Sequence, residues 1–319
     1  MSHITLKELL LDAKERKYGV PCLSGSNLEM IIGVVRAAEE KKSPLIICYN
    51  KQLNPDIPIE VLMPVIVNCA ERAKVPIATI LDHGSDFSLI MKSIHYGSSS
   101  VMFDGSGLPF EENIARTKEV VKVAHSLGVS VEAELGGVGG NVMEATETSS
   151  KESIKTIPDE AVEFVKRTGV DALAIAFGNV HGKYQGTPEI DLDLVRELAN
   201  KLEVPLVMHG ASGLTFDSYK GIIEAGICKI NYFSAMCRGI YDKMKEFLDS
   251  SGEDAFCINT IPMSIDFWYK ETKDLLDILM CSGKAGYQAE QFSKGSFNET
   301  QRLTDYLSEI VYKNIKSLK

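Results

Sequence analysis

The sequence contains no long apolar stretch and no paired cysteines. Its longest apolar runs, such as Pro44 to Cys48, fall far short of the ~18 residues that a membrane-spanning helix needs. The seven cysteines are dispersed and none forms a Cys-x-x-Cys pair, which argues against a disulfide framework and favours a reduced compartment. The first residues show no basic segment followed by an apolar run. We therefore expect no signal peptide, no membrane association and a cytoplasmic location.

Positive charge is also too scarce for a protein that binds nucleic acid through a basic surface. Lys and Arg together number 34 against 44 Asp and Glu, which gives a formal net charge of −10. No global basic field attracts nucleic acid or anionic lipid, although a local positive pocket remains open. Walker and Gly-x-Gly-x-x-Gly motifs are absent as well. We expect a small-molecule partner and no nucleic acid.

Eight short apolar runs alternate with amphipathic helical patterns. Each run is too short for a helix and apolar almost throughout, as expected of a strand buried on both faces. The runs are Val20–Ser24, Pro44–Cys48, Pro76–Leu81, Ser100–Phe103, Val129–Glu134, Asp171–Phe177, Pro205–Met208 and Ile227–Asn231. Helical patterns cover 5–17, 27–42, 111–127, 159–168, 191–202 and 234–248.

This alternation predicts the α/β class and a (β/α)8 TIM barrel, with an N-terminal helix, as one domain over residues 1–285. Eight β-α units fit into about 230 residues, which suits a barrel. An open doubly wound sheet is the alternative. It usually has fewer strands and a Gly-rich phosphate turn after the first strand, and no such turn is present.

Two segments fall outside the eight units. The segment 136–155 is Gly-rich and then polar, and a loop of that length is usually a functional lid or disordered. In the tail, 286–319, apolar residues recur at helical spacing from Leu303 to Ile315. We expect a C-terminal helical extension that packs on the barrel or on a partner subunit. Its apolar stripe favours a homo-oligomer, either a dimer or a tetramer.

Three of the six histidines share one setting. His83, His181 and His209 each follow a strand run and precede a glycine. In a barrel the strand carboxyl ends point to one face, where the active sites of this fold lie. Three converging imidazoles form the ligand set of a catalytic zinc with an open fourth position, and a hydrogen-bonded structural role is the alternative for each.

Three carboxylates lie at the same expected face. Asp82 immediately precedes His83, and could serve as a general base or as a hydrogen-bond partner of a ligand. Asp104 and Glu134 end the fourth and fifth strands. These two could orient the ligand imidazoles, offer a second metal position, or simply be solvated.

The turns after the last two strands are candidates for phosphate binding. His209-Gly-Ala-Ser-Gly213 is a small-residue turn, and Asn231-Tyr-Phe-Ser234 opens a helix at Ser234. Barrels often bind phosphate at these loops through backbone N–H groups and a helix N-terminus. Packing alone would also explain such small residues.

Assembled in order, these residues resemble the class II (zinc-dependent) fructose/tagatose-bisphosphate aldolase family from about Thr5 to Ala285. The supporting motifs are Leu81-Asp-His-Gly84, Phe103-Asp-Gly-Ser106, Val131-Glu-Ala-Glu-Leu-Gly136, Val180-His-Gly182, His209-Gly-Ala-Ser-Gly213 and Lys229-Ile-Asn231. The resemblance implies a lyase of carbohydrate metabolism, such as glycolysis. It would cleave or form the C3–C4 bond of a phosphorylated ketose through a metal-stabilised enediolate, giving dihydroxyacetone phosphate and an aldehyde.

The resemblance also implies a role for each site residue. The zinc ligands would be His83, His181 and His209, and Asp82 would be the acid/base on the substrate C4 hydroxyl. Asp104 and Glu134 would form an alternative or second metal position. A lid residue, Glu144, would transfer a proton on the three-carbon product. The residues that would bind the ketose and its 1-phosphate are Gly182, Gly210, Ser212, Asn231 and Ser234. A monovalent cation is a further possibility.

Several substrate-reading positions depart from the family pattern. Leu23-Ser24 replaces Phe-Asn, Asn50 replaces a serine, Gln185 replaces a common phosphate-binding lysine, and Phe233 replaces a small or acidic residue. The substrate therefore need not be fructose 1,6-bisphosphate. The alternatives are an aldolase-like zinc barrel acting on a different sugar or a non-bisphosphate substrate, and a non-catalytic relative.

Overall fold

Eight parallel strands close into a barrel in the computed structural model, which describes residues 2–139, 146–150, 153–182, 188–252 and 256–286. Each strand pairs with its neighbours in chain order, and the last pairs with the first. The predicted (β/α)8 TIM barrel is therefore confirmed. Strands β1 to β8 are Val20–Ser24, Leu45–Tyr49, Ile77–Gly84, Ser100–Phe103, Ser130–Leu135, Ala172–Ile175, Leu206–Met208 and Ile227–Asn231.

Helices surround the barrel and cover the outer face of the strands. Because both faces are then covered, all the strand residues are buried, as their apolar sequences predict. In the described ranges the α-helices α1 to α10 are Leu6–Arg16, Leu28–Lys41, Ile59–Arg72, Phe87–His95, Phe110–Ser126, Pro158–Thr168, Leu192–Lys201, Phe216–Ala225, Ser234–Ser250 and Thr260–Ile278.

Local capping signals set where several helices begin. Thr5 forms a capping box with Glu8 at the start of α1. Asn27 accepts a hydrogen bond from the Met30 backbone N–H at 2.8 Å and opens α2. Asp191 caps α7 by accepting from the Leu194 backbone N–H. These helices begin within one residue of the positions that the sequence predicts.

The amino-terminal residues pair with β3 at the end of the barrel opposite His83, His181 and His209. The Ile4 backbone N–H donates to the Ile77 carbonyl at 3.0 Å, and the Ile77 N–H donates to the Ser2 carbonyl at 2.7 Å. His3 Nε2 lies 2.9 Å from Thr79 Oγ1. The chain therefore pairs with the first residue of β3 before α1 begins.

Helix α10 is an addition that the sequence analysis did not predict. It packs lengthwise on α2, and the two backbones come close at Gly33. The predicted two-part division of the chain at residue 285 remains a prediction, because residues 287–319 lie outside the described ones. Among the described helices, none combines the length and the apolar composition that crossing a bilayer requires.

Candidate active site

Three buried imidazoles converge at the carboxyl ends of the strands. The ring centroids of His83 and His209 are 4.5 Å apart, and those of His83 and His181 are 5.4 Å apart. One ring nitrogen from each histidine lies within 4.8 Å of the others. The structure thus brings together the three histidines that the spacing along the chain singled out.

A backbone turn at the end of β3 directs two consecutive side chains toward this centre. His83 has a φ of 50°, in the left-handed region, and the pairing of β3 with β4 shifts register between Leu81 and Gly84. In regular strand geometry Asp82 and His83 would point to opposite faces. The irregularity lets both reach the mouth of the barrel. A Cβ on Gly84 would lie 2.7 Å from the Met102 carbonyl oxygen, so this turn requires a glycine there.

Carboxylates hold two of the imidazoles by the ring nitrogen that faces away from the centre. His83 Nδ1 lies 2.8 Å from Asp104 Oδ2, and His209 Nε2 lies 3.1 Å from Glu132 Oε1. The opposite nitrogens, His83 Nε2 and His209 Nδ1, are 2.9 Å apart and face the centre. A carboxylate behind a histidine fixes the ring orientation and the tautomer of a metal ligand.

Asp82 is a buried carboxylate beside the imidazoles. Both of its oxygens accept from Asn231 Nδ2, at 3.1 and 3.2 Å. Burial alone would raise its pKa, but the positive charges of His83 and Lys229 outweigh burial and lower the pKa below its usual range. Asp82 is therefore ionised at neutral pH and can accept a proton.

The charges around the imidazoles suit a bound cation. Burial alone would lower the pKa of His83, but the carboxylates of Asp82 and Asp104 raise it to about 10. Burial, and then the charge of His83, hold the pKa of His209 well below its usual range, so this ring is neutral. A divalent cation would replace the His83 proton as the positive charge among these carboxylates. Three imidazole nitrogens with an open position are a donor set that fits zinc.

Asp104 and Glu134 lie together beside His83, with ligand-capable oxygens in the same 4.8 Å range. Burial, together with the charge of Asp104, raises the pKa of Glu134 well above its usual range. Glu134 Oε2 is buried and has no hydrogen-bond partner among the described residues. A described part of the segment 136–155 reaches this group, because Ser149 Oγ donates to Asp104. One imidazole and two carboxylates are a set of donors that could hold a metal ion.

The predicted phosphate-binding residues lie on neighbouring turns. Gly210, at φ 65°, packs against the backbone of Val180, and a Cβ there would lie 2.3 Å from the Val180 carbonyl oxygen. Ser212 Oγ accepts from the Ala235 backbone N–H at 3.2 Å, which joins the turn after β7 to the first turn of α9, where Ser234 lies. Gly182 follows His181 with a φ of 81°. Glu144 and Gln185 lie outside the described residues.

Two residues near the imidazoles were not singled out from the sequence. Glu132 contacts His209, and Lys229 Nζ lies 2.8 Å from Glu132 Oε1. A signal for Glu132 was present, since it precedes Glu134 by two residues and therefore shares its strand face. Lys229 belongs to the Lys229-Ile-Asn231 motif, and a lysine inside an apolar strand run is a comparable signal, but the sequence analysis assigned it no role.

Comparisons with known proteins agree with this geometry. The sequence profile described as fructose-bisphosphate aldolase class-II matches residues 4–284. The chain is 34% identical over 285 residues to the sulfofructosephosphate aldolase of Alkalicoccus urumqiensis, covering 89% of this chain and 99% of that protein. It is 40% identical over 234 residues to the probable fructose-bisphosphate aldolase of Bacillus subtilis (strain 168), covering 72% and 81% of the two chains.

A solved structure shows the same architecture. The crystal structure of the YdjI aldolase from Escherichia coli K12 superposes with a TM-score of 0.79 and 34% sequence identity, and the match covers 89% of this chain and 99% of that one. The matched residues include the barrel, the three imidazoles and the turns that follow them. The chain therefore belongs to the class II fructose-bisphosphate aldolase family.

Proposed function

We propose that this chain is a zinc-dependent aldolase that cleaves or forms the C3–C4 bond of a phosphorylated ketose, giving dihydroxyacetone phosphate and an aldehyde. The observation that carries the proposal is the convergence of three buried imidazoles beside an ionised Asp82. His83, His181 and His209 would hold the metal through three ring nitrogens. Zinc, when bound, would supply Lewis-acid stabilisation of the negative charge that develops on the substrate oxygens.

Asp82 would act as the general base in the cleavage direction. Its carboxylate takes the proton of the C4 hydroxyl, and C4 leaves as the carbonyl carbon of the aldehyde. The electron pair of the C3–C4 bond stays on the three-carbon fragment, which then gains a proton at C3. Asn231 supports this role because its Nδ2 contacts both Asp82 oxygens and holds the carboxylate in one orientation.

The ketose and its 1-phosphate would be held by Gly182, Gly210, Ser212, Asn231 and Ser234. The first turn of α9 supports this assignment, since a helix N-terminus offers N–H groups and a favourable dipole to an anion. The other predictions carry over as proposals: an alternative metal position at Asp104 and Glu134, proton transfer by Glu144, a homo-oligomer, a cytoplasmic location and a helical extension over 286–319.

A second candidate substrate is a ketose phosphate whose far end is not a phosphate. Tyr49 pairs with Leu81, so Asn50 follows β2 at the level of Asp82. Asn50 Nδ2 is buried and has no hydrogen-bond partner among the residues that the structure describes, and an amide stands here in place of the family's serine. The relative named sulfofructosephosphate aldolase is matched over 99% of its length, which favours including a sulfonated sugar among the substrates.

The test is cleavage of a panel of ketose phosphates by the zinc-loaded protein, with a chelator-treated sample as the control. The panel contains fructose and tagatose 1,6-bisphosphates, fructose 1-phosphate and 6-deoxy-6-sulfofructose 1-phosphate, and release of dihydroxyacetone phosphate is measured. We expect release from at least one sugar that the chelator abolishes and zinc restores. Release that survives complete zinc removal, or no release from any sugar by zinc-loaded protein, would contradict the proposal.

A further inference from the structure

Lys229 is a lysine in the interior of the barrel. Its side chain is fully buried, at 0% exposure. Lysine is almost never fully buried unless it is paired. Its Nζ lies 2.8 Å from Glu132 Oε1 and 3.9 Å from Asp82 Oδ1. None of the roles proposed above uses this ammonium group.

The contact with Glu132 connects Lys229 to His209, one of the proposed metal ligands. The same carboxylate oxygen, Glu132 Oε1, lies 2.8 Å from Lys229 Nζ and 3.1 Å from His209 Nε2. The other oxygen, Oε2, is buried and has no hydrogen-bond partner in the described ranges. Within the part of the chain that the structure describes, Lys229 and His209 are therefore the two groups that fix the orientation of Glu132. Without Lys229, the imidazole of His209 would be the one described group that still holds this carboxylate.

Lys229 also lies close to Asp82, the proposed general base. Asp82 and Glu132 are two buried carboxylates that both approach His209, and Lys229 lies between them. Burial alone would lower the pKa of Lys229, but the charge of Glu132 raises it, so the ammonium stays charged. That charge offsets the repulsion between the two carboxylates and lets both approach the same imidazole.

Stability alone is a weak reason for such a group. A buried ion pair costs so much desolvation that apolar residues of similar size are often equally stable in its place. Among the described residues, the ion-pair contacts of Lys229 are with Asp82 and Glu132, both of which lie beside the imidazoles. A role in positioning those groups accounts for both observations.

We propose that Lys229 is a positioning residue of the active site. Through Glu132 it fixes the tautomer of His209 that presents Nδ1 to the metal, and beside Asp82 it holds the carboxylate of the base in place. The part that concerns Asp82 rests on the proposed function, whereas the part that concerns His209 requires only that the three imidazoles bind a metal.

The test is Lys229→Met, which keeps most of the length of the side chain but removes the charge and the donors. We expect zinc affinity, measured by competition with a chromophoric chelator at fixed pH, to fall by about 10–100-fold. At saturating zinc, we expect kcat to fall at least tenfold by an order-of-magnitude estimate, with KM little changed because Lys229 does not contact substrate. Lys14→Met is the matched control, since Lys14 caps backbone carbonyls of Leu202 and Glu203 outside the barrel and should leave both quantities unchanged.

A second variant separates positioning from folding. Lys229→Met combined with Glu132→Gln removes both charges of the pair and should fold even where the single variant does not. We expect it to show the same loss of zinc affinity, because the anionic acceptor behind His209 is gone. A folded single or double variant with wild-type zinc affinity would overturn the role at His209, and unchanged kcat and KM at saturating zinc would overturn the role at Asp82. Inactivity of the wild-type protein on every sugar would instead count against the proposed function.

Discussion

His83 has a backbone conformation that a residue with a Cβ rarely adopts. A left-handed φ such as its 50° costs about 1–2 kcal/mol for a non-glycine residue. Such strain persists where the surrounding structure requires it, and it concentrates at functional sites. Here the required contact is the 2.8 Å hydrogen bond with Asp104. This strained conformation allows the side chains of Asp82 and His83, which are consecutive in sequence, to point toward the same centre.

Replacement of Asp82 by asparagine tests the base directly. Asp82→Asn keeps the shape of the side chain but cannot accept the C4 hydroxyl proton, so we expect kcat to fall by about 10²–10⁴-fold with zinc still bound. Asn231 can adapt, because its Oδ1 is buried, has no hydrogen-bond partner in the described part of the chain, and can accept from the new amide after a flip. Turnover and zinc content are measured on the same sample.

Asp171→Asn is the matched control for this prediction. Asp171 is also a buried carboxylate, but it lies at the amino end of β6, where it accepts from His125 Nε2 at 2.8 Å and from the Val131 backbone N–H at 2.9 Å. Its replacement should lower stability and leave kcat per folded molecule unchanged. Wild-type kcat in zinc-loaded Asp82→Asn would remove Asp82 from the mechanism.

The sequence makes some site residues visible and hides others for physical reasons. The His-Gly pairs stand out because they follow apolar strand runs, where a polar residue and a glycine need an explanation. Lys229 stands inside such a run, and only the closed barrel reveals that its inward position faces Glu132. The contact between Ser149 and Asp104 is equally invisible, since the two residues are 45 positions apart in the chain, with α5 and β5 between them.

At the scale of elements, the alternation of strand and helix patterns predicts the fold because each β-α unit buries an apolar strand beneath an amphipathic helix. The strands are buried on both faces, and each predicted run overlaps an observed strand. Helix α10, Thr260–Ile278, was not predicted because it comes after α9 and lies outside the eight β-α units. Its position depends on a contact with α2 that the order of the elements does not specify.

The contact between α2 and α10 depends on Gly33. Alanine would normally favour a helix over glycine by about 1 kcal/mol. At Gly33, however, a Cβ would lie 2.6 Å from Trp268 Cβ and 2.8 Å from the Ile265 carbonyl oxygen on α10. Overpacking of this kind costs about 1–3 kcal/mol, so we expect Gly33→Ala to destabilise the protein and leave zinc affinity unchanged. Urea unfolding and chelator competition measure the two quantities.

Gly221→Ala provides the comparison in another helix. A Cβ on Gly221 in α8 would meet only Leu192 Cδ1, the end of a flexible side chain, at 3.3 Å. Helix propensity should therefore dominate, and this variant should be as stable as the wild type or more stable. If Gly33→Ala behaves like Gly221→Ala, then α2 and α10 do not pack as closely as the structure indicates.

At the scale of the whole molecule, the two ends of the barrel have different roles. The carboxyl ends of the strands hold the imidazoles and Asp82, whereas the amino ends are stabilised by contacts that lie far from the imidazoles. Ser2 and Ile4 pair with Ile77, and Asp171 contacts Lys7 Nζ at 3.0 Å. Substitutions at the amino ends should therefore change stability without changing the chemistry at the other end.

His3 makes the stability of the amino end depend on pH. Burial lowers the pKa of His3 to about 4, whereas an unfolded chain has a histidine pKa near 6.5. Between these values the unfolded chain binds more protons than the folded one. Linkage then requires that the free energy of unfolding decrease as the pH falls through this interval. The metal-site groups also titrate, so the contribution of His3 must be isolated by a difference between two variants.

Replacement of His3 by glutamine isolates the contribution of His3 to the pH dependence of stability. His3→Gln retains a side chain that can hydrogen-bond Thr79 Oγ1, the partner of His3 Nε2 at 2.9 Å, but it does not titrate. We expect the wild type to lose stability relative to His3→Gln as the pH falls from 6.5 to 4, by up to about 3 kcal/mol. Urea unfolding of both proteins at pH 7.5, 5.5 and 4.5, in the presence of chelator, gives this difference at each pH. A difference that stays constant across the three pH values would mean that His3 titrates alike in the folded and unfolded states, and that its burial at the base of the barrel does not suppress its protonation.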